Sequence, residues 1–404
     1  MTAAGEIANF VRTQLAERNR IFAEYIPLHC QGLARASQEM ARRFGRGARL
    51  LAVGTGSYAT DAAHISVEFI HPVIVGKRAL PALDLSVDAA RMLDVLARPD
   101  DIVMSFGPPE GNPQLGEVLD SLRRRGALVC EWPGRLGDYP LPPATSDPFV
   151  HQEVTELMYH ALWETVHVFF EQKSLGDDVG AAGFLYPFLG AGDQTPADTL
   201  ADVARSIGEK GAEDARLRST FAAGGEDFAA GGENFAAGGA ETLAAAVLAV
   251  RQRVAAGGTL LAFGNGGSAT DANDLVLDCV DPPAGMRPIP AISLSQEPAN
   301  ISAIGNDVGM ELVFVRQLIA SGGAADVAVA ISTSGTSKNV CAGLVEARRR
   351  GMLTIGLLGG DGGDIVRGCL ADFALVVRCD YIPRIQEVQA SIYHIFRRAL
   401  AGLD

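Results

Sequence analysis

A histidine and a glutamate four residues apart, His64 and Glu68, combine residue types and spacing that could do chemistry. They follow a glycine turn in the stretch "GTGSYATDAAHISVE", and a spacing of four places both side chains on one face of a helix. The stretch returns 210 residues later as "GNGGSATDANDLVLD", with six of the first eleven positions identical and with Asp274 and Asp278 in the two positions. The chain therefore carries one candidate site twice, with different side chains.

A second repeated motif places a glutamine eight residues before a histidine. "QEVTELMYH" runs from Gln152 to His160 and "QEVQASIYH" from Gln386 to His394, with five of nine positions identical. A spacing of eight is about two helical turns, so each pair lies on a common side of its helix. Nitrogen and oxygen ligands of this kind suit zinc, whereas a set richer in carboxylates favours harder cations.

Hydroxyl groups crowd the segment "ISTSGTSKN", at the end of a predicted strand. Such a loop surrounds a phosphate with hydroxyls and amides without needing a positive charge. The glycine turn before the second helix, Gly-x-Gly-x-Ser, likewise presents helix N-terminal amides to an anion or a hydroxyl. The loop residues that we expect to bind phosphate are Ser332, Thr333, Ser334, Gly335 and Ser337. The alternative is a Ser/Thr-rich turn that only caps the next helix.

The first half has lost the hydroxyls of this loop. It reads "MSFGPPEGNP", in which Ser105 is the only hydroxyl, two prolines remove amide donors, and Glu110 would repel a phosphate. The segment from Ser105 to Asn112 is therefore not expected to bind phosphate.

Continuous apolar strands that alternate with amphipathic helices surround these motifs in both halves. This pattern predicts an α/β fold of two tandem three-layer α/β/α domains, each with a mainly parallel sheet of about five strands. We place the first domain at 1–175, a Gly- and Pro-rich linker at 176–195 and the second domain at 196–404. Within the second, "FAAGGEDFAAGGENFAAGGAE" repeats every seven residues. Because its Gly-Gly pairs disfavour a coiled coil, we interpret 221–241 as a low-complexity loop.

The composition excludes several classes of function. No apolar run reaches the roughly 18 residues of a membrane span, and the N-terminal residues do not resemble a signal peptide. The net charge of −14 argues against a nucleic-acid partner. Six scattered cysteines without a CxxC pair fit reduced thiols, so we expect a cytoplasmic protein with neither a disulfide framework nor a cysteine zinc site.

The second half resembles the sugar isomerase (SIS) domain, and within it the phosphoheptose isomerases, through "FGNGGSATDA", "AIGNDVG", "ISTSGTSKNV" and "RIQEVQASIYHI". The first half resembles a diverged SIS domain and is recognised mainly through the duplication. The resemblance implies aldose–ketose isomerisation of sedoheptulose 7-phosphate to D-glycero-D-manno-heptose 7-phosphate, with zinc or another divalent metal as cofactor. It also implies a homo-oligomer, a dimer with four SIS domains.

The resemblance also implies which residues form the site. The complete metal set falls in the first half, at His64, Glu68, Gln152 and His160, and a weaker set in the second at Asp274, Asp278, Gln386 and His394. The acid–base pairs would be Glu68 with His160 and Asp278 with His394. Substrate contacts would come from Asn265, Gly266, Ser268, Gln386 and the hydroxyl loop. A further family histidine, three residues after the glutamine, is Thr155 or Gln389 here.

Each half thus keeps what the other has lost, which suggests division of labour after duplication. The alternatives are that the first half is a decayed structural partner, or that the halves have independent functions. Two other classes of function stay open. The chain could be a sugar-phosphate-binding or assembly module without turnover, or an isomerase of another phosphosugar.

Overall fold

The computed structural model describes residues 2–72, 77–134, 138–172, 196–224 and 238–402. The predicted linker at 176–195 lies outside these residues, as does most of the predicted low-complexity loop, including Phe228 and Phe235. Phe221, which opens that segment, instead lies buried near the end of a helix.

The described chain is divided into two compact units. We call Ile21–Glu213 the N-unit, and Met1–Arg20 together with Asp214–Asp404 the C-unit. These limits differ from the predicted domains, because the first twenty residues belong to the C-unit and the segment 196–213 to the N-unit. The predicted domain limits stay predictions.

The elements described between residues 2 and 172 follow one another mainly as alternating strands and helices. They are α1 (Ala3–Phe44), β1 (Leu50–Gly54), α2 (Ala59–Ile70), β2 (Ala82–Asp84), α3 (Ala89–Leu96), β3 (Ile102–Phe106), α4 (Gly116–Arg124), β4 (Leu128–Trp132) and α5 (Pro148–Gln172).

The second series begins with two long helices and then repeats the alternation. Its elements are α6 (Pro196–Ala223), α7 (Gly239–Ala255), β5 (Leu260–Phe263), α8 (Gly267–Val280), β6 (Ala291–Ser293), α9 (Pro298–Asp307), α10 (Val313–Ser321), β7 (Val327–Ser332), α11 (Lys338–Arg349), β8 (Leu353–Gly359), α12 (Gly363–Arg367), β9 (Phe373–Val377) and α13 (Ile382–Ala401).

Each unit contains one sheet in which every described pairing is parallel, as predicted. The strand order is β2-β1-β3-β4 in the N-unit and β6-β5-β7-β8-β9 in the C-unit. The expectation of about five strands is met in the C-unit. Among the described residues the N-unit sheet has four, since no strand follows β4 before α5 begins at Pro148.

Both faces of each sheet are covered, which explains the apolar runs in the sequence. In β5, Leu260 and Ala262 belong to one core cluster, whereas Leu261 and Phe263 belong to another on the opposite face. The N-unit strands alternate between two clusters in the same way. Each unit is therefore a three-layer α/β/α domain, as predicted, because strands buried on both faces need helices on both sides.

Helices on opposite faces follow the central strands of the C-unit. Helix α8, which follows β5, packs in one cluster, and α11, which follows the neighbouring β7, packs in the other. The carboxyl ends of β5 and β7 thus flank a point where the chain turns to opposite faces of the sheet. In open α/β sheets such switch points are where ligands bind.

Candidate functional site

The glycine turns bring the start of each following helix against the end of its strand. A Cβ at Gly54 would lie 2.0 Å from the carbonyl oxygen of Tyr58, and one at Gly264 would lie 2.4 Å from that of Ser268. Any other residue would push the helix away from the strand. The two turns therefore fix helices α2 and α8, and with them the repeated acidic and imidazole positions.

The hydroxyl loop lies between β7 and α11, at the switch point described above. Gly335 has a φ of +62°, and a Cβ there would lie 2.2 Å from the carbonyl oxygen of Gly362, so this position requires glycine. The amide of Gly335 donates to Ser332 Oγ at 3.1 Å, and the amide of Thr336 donates to Ser334 Oγ at 3.2 Å. These bonds hold the loop in a tight curve ahead of the helix.

Several groups of this loop remain accessible. Ser334 and Thr336 are exposed, and Thr333 and Ser337 are half-buried. The loop precedes the 12-residue helix α11, whose N-terminal amides carry partial positive charge. The arrangement can therefore present hydroxyls and a helix N-terminus together to an anion.

A pair of asparagines ties the loop to the glycine turn. Asn265 and Asn339 exchange two side-chain hydrogen bonds, of 2.9 and 2.8 Å. Asn265 and Gly266 are exposed at the turn, whereas Ser268 is buried. The predicted substrate contacts at the turn and in the loop thus occupy adjacent strand ends of one unit.

The corresponding loop of the N-unit keeps this tie without the hydroxyls. Asn112 donates to Thr55 Oγ1 at 3.0 Å, much as the two asparagines bond in the C-unit. Ser105, the hydroxyl that the sequence offered for this loop, is buried within β3. The N-unit loop therefore presents the exposed carboxylate of Glu110 but no serine hydroxyl.

The buried cluster of the N-unit, which we call the N-site, joins α2 to α5 through His64, Glu68, Glu156 and His160. The Nε2 atoms of His64 and His160 are 3.3 Å apart, and His64 Nε2 lies 3.9 Å from Glu68 Oε1. Two nitrogens bound to one tetrahedral zinc ion at about 2.05 Å are about 3.3 Å apart. The imidazole pair therefore fits the metal that the sequence predicted.

Gln152, the fourth predicted ligand of the N-site, makes other contacts. Its Nε2 donates to Asp61 Oδ2 at 3.0 Å and lies 3.4 Å from Thr60 Oγ1. Asp61 precedes His64 by nearly one turn of α2, so the amide group is directed toward the start of that helix. The structure brings His64, Glu68 and His160 together but holds the Gln152 amide against Asp61.

Burial dominates the electrostatics of the N-site. It raises the pKa of Glu68 to about 8, and among the described residues no lysine or arginine opposes this shift. Glu68 Oε2 also has no hydrogen-bond partner within the described part of the chain. A buried carboxylate in this state requires a proton or a cation.

The equivalent cluster of the C-unit, which we call the C-site, consists of Asp274, Asp278 and His394 and is closed by its neighbours. His394 Nε2 lies 3.3 Å from Asp274 Oδ2 and 3.3 Å from Asp278 Oδ2. The Tyr393 hydroxyl donates to Asp274 Oδ2 at 2.8 Å, and Arg397 Nε donates to the Asp278 carbonyl oxygen at 2.8 Å. Gln386 is buried on the same helix as His394, eight residues before it.

Neighbouring side chains partly counteract the effect of burial on the pKa of Asp278 in the C-site. Burial, with Asp274 beside it, raises the pKa of Asp278, while His394 and Arg397 act in the opposite direction. The guanidinium of Arg397 therefore offsets part of the cost of burying Asp278.

Two residues of these sites were missed in the sequence. Glu156 lies midway between Gln152 and His160, and its spacing of four from each could have revealed it. Arg397 follows the copied motif by three residues, where the first half has Trp163. Only the packing of α13 against α8 shows that this arginine reaches Asp278.

Comparisons with known proteins match the C-terminal half in sequence and the whole chain in fold. A SIS-domain family model matches residues 226–359. A phosphoheptose isomerase from Geotalea daltonii is 46% identical over 154 residues, which are 38% of this chain and 79% of that protein. The phosphoheptose isomerase of Solidesulfovibrio magneticus is 43% identical over 157 residues, which are 39% of this chain and 76% of that one.

The crystal structure of a tagatose-6-phosphate ketose/aldose isomerase from Escherichia coli resembles the chain with a TM-score of 0.52. It is 13% identical and covers 99% of this chain and 94% of that one, so the likeness concerns the fold. Among the described residues no helix is both long and apolar enough to cross a membrane.

Proposed function

This chain belongs to the phosphoheptose isomerase family of SIS-domain proteins, and we propose that it interconverts sedoheptulose 7-phosphate and D-glycero-D-manno-heptose 7-phosphate. Family membership supports its class, a sugar-phosphate aldose–ketose isomerase. The observation that carries the proposal is the glycine-fixed hydroxyl loop at the switch point of the C-unit, inside the segment that the SIS-domain family model matches.

The phosphate is assigned to this loop. Ser332, Thr333, Ser334 and Ser337 offer hydroxyls, the N-terminus of α11 offers amides, and the exposed side of Asn265 and Gly266 borders the same edge. No carboxylate occupies the loop, in contrast to Glu110 in the N-unit loop. A phosphate monoester is therefore favoured over a neutral sugar at this position.

Proton transfer is assigned first to Glu68 and His160 of the N-site. Isomerisation removes the proton alpha to the carbonyl and returns it to the neighbouring carbon, which needs a carboxylate and a second acid–base group. Glu68 and His160 are buried in the N-site, whereas in the C-site the Tyr393 hydroxyl donates to Asp274 and Arg397 donates to the carbonyl oxygen of Asp278. A divalent metal, when bound, would supply charge stabilisation for the enediolate oxygen.

The proposed roles of the two units are based on the side chains that each unit contains. We propose that the N-unit supplies the metal and acid–base groups and the C-unit the phosphate loop, which is division of labour between the duplicated halves. The cytoplasmic location and the homo-oligomer, a dimer with four SIS domains, belong to the same proposal.

Turnover by the purified chain tests the proposal. Sedoheptulose 7-phosphate should be converted to the heptose 7-phosphate in the presence of zinc, and other ketose phosphates of five to seven carbons should be converted more slowly. Faster conversion of a different phosphosugar would support an isomerase but would contradict sedoheptulose 7-phosphate as its substrate. Binding of sugar phosphates without turnover of any would favour the non-catalytic module instead, for which the closed C-site already provides one observation.

A further inference from the structure

A carboxylate outside the predicted ligand set lies against the two imidazoles of the N-site. One ligand atom from each of His64, Glu156 and His160 lies within 4.8 Å of the others, and all three side chains are buried. Two histidines and one glutamate are a set that catalytic zinc sites use, with the remaining position left for water or substrate. Glu68 approaches His64 from the same helix but is not part of this trio.

Glu156 is one of the residues in which α5 differs from its repeat. Gln152 has an identical counterpart in Gln386, and its partner Asp61 has one in Asp271, so this pair is shared by both halves. The counterpart of Glu156 is Ala390. The half that has two histidines therefore also has an additional carboxyl group, midway in sequence between Gln152 and His160.

The N-site and the C-site also differ in the ionisable side chains that they contain. The N-site buries the carboxyl groups of Glu68 and Glu156 and has Trp163 at the position of Arg397. In the C-site, Arg397 donates to the carbonyl oxygen of Asp278. Two imidazoles and two carboxyl groups in one buried cluster offer the nitrogen and oxygen ligands that zinc takes.

We propose that the N-site binds a divalent metal ion, with zinc as the preferred ion, through His64, His160 and Glu156, and that Glu156 takes the ligand position that the resemblance gave to Gln152. Gln152 then orients Asp61 and the start of α2. The inference deepens the proposed function, but metal affinity is measured without substrate, so its failure and the failure of isomerase activity are distinguishable.

Zinc binding by chelated and reloaded protein tests the ligand assignment. The natural chain should bind one zinc ion per chain. Glu156→Ala, which installs the residue of the other half, should weaken zinc binding by at least about 100-fold, since loss of a direct ligand exceeds the effect of outer contacts. Asp278→Ala in the C-site is the matched control and should leave the single high-affinity zinc in place.

An isosteric variant separates ligation from folding. Glu156→Gln keeps the side-chain shape but removes a carboxylate ligand, so it should reduce the increase in thermal midpoint that zinc produces in the natural protein. Cobalt loading gives a spectroscopic check, because the absorption bands should change in Glu156→Gln but persist in Gln152→Ala. Zinc affinity that survives Glu156→Ala and is lost in Gln152→Ala would overturn the assignment, as would a natural chain that binds no zinc.

Discussion

The N-site and the C-site occupy the same positions of two repeated folds, yet they balance their charge differently. The N-site combines two imidazoles and two carboxyl groups, and the chain has Trp163 at the position that corresponds to Arg397. The C-site combines one imidazole and two carboxylates, with Arg397 beside them and the Tyr393 hydroxyl bonded to Asp274. A site that offsets its own charge has less need of a metal ion. The comparison shows how one scaffold can keep a metal-type site in one copy and close it in the other.

The largest effect is expected from the acid–base pair. Glu68→Gln keeps the side-chain shape but removes the carboxylate, and it should lower kcat for sedoheptulose 7-phosphate by about 1000-fold, within the range of general acid–base catalysis. Asp278→Asn, the matched change in the C-site, should lower kcat by less than about 10-fold. Circular dichroism checks that both variants fold. If the Asp278 variant is the more damaged, turnover belongs to the C-site and the proposed division of labour is wrong.

The next effect concerns the two loops. Replacing Ser334 and Ser337 together with alanine should weaken sugar-phosphate binding by at least about 100-fold, because hydrogen bonds to a charged group contribute about 1.5–3 kcal/mol each. Ser105→Ala is the control, since Ser105 is buried within β3 of the N-unit. Calorimetric titration with the sugar phosphate measures both. Unchanged affinity in the double variant would show that this loop does not bind the phosphate.

A third effect concerns Arg397. Its guanidinium donates to the carbonyl oxygens of Asp278 and Arg287, at 2.8 and 2.6 Å. Arg397→Leu should destabilise the protein by about 3 kcal/mol, because it leaves buried aspartates without their arginine. Thermal unfolding with and without zinc measures the loss, and zinc should restore more stability to this variant than to the natural chain. A variant as stable as the natural chain would show that the C-site does not depend on this charge.

The smallest effect concerns His151, where the repeat has Ile385. Burial lowers the pKa of His151 to about 4, and the backbone of Gly107 and the charge of Glu110 act weakly in the opposite direction. The unfolded histidine gains a proton below about pH 6.5, so its contribution to stability is intact above that pH and is lost toward pH 4.

The effect of His151→Ile on the free energy of unfolding should therefore be more favourable at pH 5 than at pH 8, by about 2 kcal/mol. Thermal midpoints at the two pH values test this. The same difference between variant and natural chain at both pH values would show that His151 is not held neutral.

Sequence reasoning was strongest where a pattern repeats. Apolar strands alternating with helices predicted parallel sheets covered on both faces, and the glycine turns placed His64 with Glu68 and Asp274 with Asp278 on helices. Motif spacing also placed Gln152 with His160, and Gln386 with His394, on a common side of one helix each. It did not anticipate that the N-unit sheet has four strands among the described residues, because the number of strands in a sheet leaves no distinctive local pattern.

What the sequence by itself determined is the duplication, the parallel α/β fold and the helix faces that carry the imidazoles and carboxylates, because these follow from periodicity and spacing along one chain. The contacts between those faces depend on tertiary packing. Only the fold shows that Gln152 bonds to Asp61, that Glu156 lies with the two histidines, and that Arg397 reaches the backbone of Asp278. Each of these contacts joins helices that lie far apart in sequence, and their direction depends on how the helices pack across the sheet.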